Sequence, residues 1–124
     1  MAALRRVLVL SVDPTIGRLL KLNLERRGLD VRPHAWAACC GIGHVPRQWP
    51  ADVLIADLHC PAPTCWNAGP NLRAVFPRMP LLLLAHERPS ARYLQAYDPC
   101  RCLQKPFGVA DALGAVESLI HSGI

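Results

Sequence analysis

Short apolar runs alternate with helix-length segments along the chain. Residues 4–10 end in the unbroken run VLVL and predict a strand buried on both faces. Asp13-Pro14 follows, an N-cap residue and then proline at the first helical position. Over residues 14–27, Ile16, Leu19, Leu20, Leu22 and Leu24 lean to one side of a helix, and Gly28 supplies its C-terminal cap. Residues 29–33 predict a short second strand. Residues 35–48 predict only a short or distorted helix, because Gly41, Gly43 and Pro46 interrupt it. The third strand is residues 52–57, four apolar residues between two aspartates. Residues 58–66 hold two prolines and predict a loop. Residues 68–76 predict a helix closed by Pro77, and residues 80–85 (PLLLLA) a fourth strand. Ser90 caps a helix reaching Tyr97, residues 100–104 form a fifth strand, and residues 109–121 a last helix with Leu113, Val116, Leu119 and Ile120 on one side. A strand followed by a helix, five times over, implies a parallel sheet covered on both faces and joined by right-handed crossovers. One domain, 1–124, fills the chain, with no linker or repeat.

Composition narrows the class. The chain has 124 residues, 52% hydrophobic and 19% charged, which excludes a disordered chain. No apolar run approaches the roughly 20 residues of a membrane span. Arg5 and Arg6 before residues 7–10 imitate a signal peptide, but the apolar stretch is too short and meets Asp13-Pro14 at once. A cytoplasmic location is expected, with no membrane association. The formal charge is +5, and twelve of the fourteen basic residues are arginines, scattered with no run longer than two. The pattern describes a solvated surface, and direct nucleic-acid binding is not expected. Six cysteines fall as Cys39-Cys40, Cys60-x4-Cys65 and Cys100-x-Cys102. None has C-x2-C spacing, so zinc is not expected and at most one disulfide is. Reduced, mostly buried thiols are the simplest reading, and a cysteine-based redox sensor built on Cys60 and Cys65 is the remote one.

In an open parallel sheet, ligands bind outside the carboxyl ends of the strands. Those ends present Ser11, Val12 and Asp13; then Asp57, Leu58 and His59; then Ala85, His86 and Glu87; then Lys105, Pro106 and Phe107. A carboxylate at Asp57 could act as nucleophile or metal ligand, and one of only two lysines, Lys105, could steady an anion. As plain structure, the same residues would be a loop-capping aspartate and a partly solvated lysine. Adjacent Asp57 and Lys105 side chains are the expectation. A flavin or nucleotide enzyme on this sheet would need a phosphate-cradling loop after the first strand. Ser11-Val12-Asp13-Pro14-Thr15 instead puts an aspartate and a proline there, so no enzyme activity is expected.

Three features together resemble the receiver domain of bacterial two-component response regulators: VLVLSVDP at the first strand, DVLIADL ending near Asp57, and Lys105-Pro106-Phe107. The resemblance covers the whole chain. It implies a flavodoxin-like three-layer α/β/α sandwich, a five-stranded parallel sheet of order 2-1-3-4-5 and a cis peptide before Pro106. It implies Asp57 as phosphoacceptor and Lys105, with Ser11, as phosphate contacts. The partner would be a sensor histidine kinase or another signalling protein. Contacts, including a homodimer, would use the face of the fourth helix, fifth strand and last helix, where Arg92, Tyr93, Tyr97, Arg101 and Ala115 lie.

The chain departs from that family at several positions. Ser11 and Val12 stand where the family carries an acidic pair that holds Mg²⁺. The remaining metal donors would be Asp13, Asp57 and the backbone carbonyl of His59, a weak Mg²⁺ site. Ala85 stands at the family's hydroxyl position and Cys102 at its switch aromatic. In the loop, Cys60 replaces the usual methionine. The expected function is therefore an atypical receiver acting through protein contacts. The alternative is a working receiver phosphorylated on Asp57 by a histidine kinase.

Overall fold

The computed structural model describes residues 4–11, 13–35, 49–58 and 68–122. Its strands are β1 (Arg6–Ser11), β2 (Asp30–Ala35), β3 (Val53–Asp57), β4 (Leu81–Ala85) and β5 (Cys100–Gln104); its helices are α1 (Pro14–Glu25), α2 (Ala68–Val75), α3 (Ala91–Ala96) and α4 (Val109–Ser122). The strands form one parallel sheet of order β2-β1-β3-β4-β5. Every residue of β3 and β4 is buried, as continuous apolar strands must be when helices cover both faces. Side-chain alternation divides these strands between two half-cores. Leu8, Leu10, Leu54, Ala56, Leu81 and Leu83 join Leu72 and Phe76 on one face. Val7, Val9, Val53, Ile55, Leu82 and Leu84 join Leu20 and Leu24 of α1 and Val116 and Leu119 of α4 on the other. The result is the expected flavodoxin-like, three-layer arrangement.

Several boundaries shift for identifiable reasons. β1 starts at Arg6 rather than residue 4, leaving Leu4 exposed. Asp52 stays outside β3 because its carboxylate accepts the Arg6 backbone N–H at 2.8 Å. α1 stops at Glu25, and residues 26–28 make the closing turn, with Gly28 at φ 84°, a conformation that favours glycine. β2 runs on through Pro33 to Ala35; it is an edge strand, where a missing N–H does little harm. Residue 35 thus belongs to a strand, and the rest of the helix expected over 35–48 lies outside the described residues. So do the loop from His59 through Cys65, Val12, Cys39, Cys40, Trp36 and Trp66.

Two side chains far from the expected site tie loops together. Arg73 in α2 donates to the carbonyls of Phe76 (3.2 Å), Met79 (2.5 Å), Tyr97 (2.5 Å) and Pro99 (3.1 Å), joining the turns that lead into β4 and β5. Trp49 packs beneath the guanidinium groups of Arg32, 5.0 Å from its ring centre, and Arg6, at 5.9 Å. Among the described residues two peptide bonds are cis: the expected Lys105–Pro106 and also Asp98–Pro99.

Candidate functional site at the carboxyl edge

From β1 the chain turns outward to β2, then crosses to β3 on the other side of β1. This reversal opens a crevice at the carboxyl ends of β1 and β3, the usual ligand position in such sheets. Ser11 ends β1 and Asp57 ends β3. Both are buried among apolar neighbours, Asp57 completely. The register continues beyond the strand ends: Leu58 N–H donates to Leu84 O at 2.8 Å, and Lys105 N–H to Ala85 O at 2.7 Å. That pairing places Lys105 directly after β5, and its four-carbon stem carries the ammonium across the end of β4.

There Lys105 Nζ forms an ion pair with Asp57 Oδ1 and donates to the Leu58 carbonyl at 3.0 Å. The Lys105 side chain is itself only 11% exposed. A carboxylate buried this completely needs a charge partner, and Lys105 provides one. The Ser11 hydroxyl donates to the Asp13 carbonyl at 2.5 Å and lies 3.4 Å from Asp57 Oδ2. Ser11, Asp57 and Lys105 are therefore brought to one crevice. The Leu58 carbonyl is a fourth member that sequence patterning could not supply, since a backbone oxygen has no residue signature.

The Asp13 side chain is engaged at the start of α1. Its carboxylate accepts the Thr15 backbone N–H at 2.9 Å in an exposed N-cap of α1. The cap satisfies an otherwise orphaned helical N–H. Val12 and the His59 carbonyl lie outside the described residues. Mg²⁺ favours near-octahedral oxygen donors that include carboxylates. Among the described residues the crevice offers Asp57, paired with Lys105, and the Ser11 hydroxyl oxygen. That is a sparse donor set for Mg²⁺.

The two expected switch positions lie on the adjacent strands β4 and β5 and border the same half-core. Ala85 is buried at the end of β4 and offers a methyl group in place of a hydroxyl. Cys102 sits half-buried in β5, opposite Leu83, and packs against the half-core beneath α2. Next to it in the ladder, Gln104 Nε2 donates to the His86 carbonyl at 3.2 Å, linking the ends of β4 and β5. Among the described residues, no helix is long and apolar enough to cross a membrane.

Compared by sequence, the chain matches no family model and no curated protein. Solved structures do match its fold. The chemotaxis protein CheY4 of Vibrio cholerae aligns at 21% identity over 94% of this chain and 99% of its own, with a TM-score of 0.73. The receiver domain of a Francisella response regulator aligns at 20% identity over 97% and 99%, TM-score 0.75. A CheY-like response regulator receiver domain protein of Methanospirillum hungatei aligns at 18% identity over 98% and 97%, TM-score 0.77. The chain therefore has the fold of CheY-like receiver domains over nearly its whole length.

Proposed function

We propose that this chain is a receiver-type domain of two-component signalling that acts through protein contacts, with phosphorylation of Asp57 weak or absent. The carrying observation is the buried Asp57–Lys105 pair at the switch point of the sheet, where among the described residues Ser11 and Ala85 take the places of an acidic residue and a hydroxyl. Phosphoryl transfer to a carboxylate gathers anionic oxygens, and compensating positive charge must meet them. Lys105 supplies one charge. Ser11 brings no carboxylate for a metal, Asp13 caps α1 through Oδ1, and Ala85 offers no hydroxyl. Each hydrogen bond missing from a charged group is worth roughly 1.5–3 kcal/mol, about ten- to a hundredfold or more in an equilibrium. The domain is not an enzyme, works in the cytoplasm, and holds Mg²⁺ weakly. Its partner is a sensor histidine kinase or another signalling protein, or a second copy of this chain. Contacts use the face of α3, β5 and α4, where Arg92 and Arg101 are exposed beside the paired rings of Tyr93 and Tyr97.

The second reading, a working phosphoacceptor, draws on the same Asp57–Lys105 pair. One experiment separates them. The domain is incubated with millimolar Mg²⁺ and a small-molecule phosphodonor, and its intact mass is followed beside that of Asp57→Asn. Little or no added phosphoryl mass is expected. Near-complete gain of one phosphoryl group, abolished by Asp57→Asn, would establish the working acceptor instead.

A further inference from the structure

β5 has a strand neighbour on one side only, so its outer edge offers backbone groups to another chain. The parallel ladder settles which groups those are. Leu81 N–H donates to the Pro99 carbonyl, and Lys105 N–H donates to the Ala85 carbonyl. Odd-numbered residues of β5 therefore direct their backbone groups to β4, while Cys100, Cys102 and Gln104 direct theirs outward. A cavity of about 180 Å³ follows this edge, lined by four consecutive residues of β5, with Leu94 of α3 on one side and Ala115 of α4 on the other. It lies outside the Asp57 crevice.

The two faces of the strand line this cavity differently. Toward α3 lie Cys100 and Cys102, which pack against the half-core beneath α2, with Leu94 and with Arg88 beside Cys102. Burial keeps both thiols protonated, so they behave as small apolar groups. Toward α4 lie Arg101 and Leu103, since Leu82, opposite Arg101, belongs to the half-core of α1 and α4. Each face thus offers one guanidinium and an apolar neighbour. Arg88 and Arg101 are exposed, and among the described residues no carboxylate lines the cavity. Glu87, Asp98, Asp111 and Glu117 lie outside that lining, and Glu117 is paired with Arg27.

We propose that the open edge of β5, within the α3–β5–α4 contact face on which this inference rests, takes up one extended segment of an acidic partner protein as a sixth strand. The outward backbone groups of Cys100, Cys102 and Gln104 pair with the segment, and side chains select it. Arg101 and Cys102 are adjacent but face opposite sides, and Arg88 stands beside Cys102. Two adjacent acidic residues therefore meet one arginine each, and apolar residues flanking them pack on Cys100 and Leu103. A second copy of this chain would bring the same arginines to the same edge, cation against cation, because a two-fold pairing presents one patch twice.

The probes are two blocked hexapeptides, TVEEVT and TVKKVT, added at millimolar concentration to the isotopically labelled full chain and followed by NMR. TVEEVT should shift the resonances of β5 and slow amide hydrogen exchange at Cys100, Cys102 and Gln104, whose N–H groups face outward. The amides of Arg101 and Leu103, directed to β4, should change little. TVKKVT should bind at least about fivefold more weakly. Arg88→Glu combined with Arg101→Glu should reverse that preference. If this variant does not fold, the affinity of the wild type for TVEEVT should fall as salt rises, and salt-insensitive binding overturns charge selection. Shifts on α3 and α4 without the alternating protection overturn strand addition and leave the contact face standing. No shift with either peptide, or equal binding of both, overturns the site, while the mass experiment on Asp57 decides the receiver reading separately. Alternating protection that grows with protein concentration in the absence of peptide assigns the edge to a second copy and overturns the acidic partner.

Discussion

At Asp57 the ion pair with Lys105 balances a buried charge. The carboxylate is fully buried and its ion pair reaches it from β5, two strands away. Removing one member of a buried pair leaves an uncompensated charge and costs about 3–5 kcal/mol. Lys105→Ala should therefore lower unfolding free energy by about that amount in urea titrations. Adding Asp57→Asn to Lys105→Ala should recover much of the loss, because no buried charge then lacks a partner. If Lys105→Ala leaves stability unchanged, the pair is not the anchor of the crevice. Arg73 has the same character at the opposite edge, with one guanidinium answering four carbonyls. Neither residue announces this in sequence: an aspartate ending DVLIAD is visible, but its burial and the lysine 48 positions later that meets it depend on strand order.

Helix α1 shows how an element can decide a residue's role. Asp13-Pro14 carries a strong helix-start signal, and the structure uses Asp13 as that cap. The sequence also offers Asp13 as a metal donor, and the cap engages one of its two carboxylate oxygens, Oδ1. Asp13→Ala should cost about 0.5–2 kcal/mol, as loss of an N-cap does. Asp13→Ser, which restores a capping oxygen without a carboxylate charge, should recover most of it. A metal-ligand role would be marked by loss of Mg²⁺ response in both variants with little change in stability. Edge strands β2 and β5 were the least legible elements by boundary or burial. β2 tolerates Pro33 because one side of it pairs with nothing in the sheet, and β5 places polar and half-buried residues where central strands place leucines.

For the whole molecule, the thiols of β5 predict a pH dependence. Both are raised above the ordinary thiol value of 9.0, to about 12 at Cys100 and about 11 at Cys102, mainly by burial. Between those values the folded state keeps protons that the unfolded chain has lost. Their contribution to stability is thus complete below about pH 9 and declines as pH rises toward 11–12. The difference in unfolding free energy between wild type and a Cys100→Ser, Cys102→Ser variant should be flat from pH 6 to 8. Above about pH 9 it should shift in the variant's favour. A difference that stays flat through pH 10.5 would show that the thiols titrate normally in the folded chain.

Sequence by itself determined the alternation of strands and helices, and with it a parallel sheet. Apolar runs such as VLIA and LLLL leave no polar face to solvent, and Pro and Gly set the ends of the intervening helices. It also marked which residues end the strands. The tertiary structure decided which of those residues meet. Strand order β2-β1-β3-β4-β5 puts Ser11 and Asp57 on adjacent strands and lets Lys105 reach over β4, whereas Asp13, two residues from Ser11, is drawn off to cap α1. Cys100 and Cys102 line one cavity and stay half-buried because β5 is an edge strand of the sheet. Local chemistry is written in neighbouring residues; convergence depends on the crossovers, whose cost and direction are set by how whole elements pack.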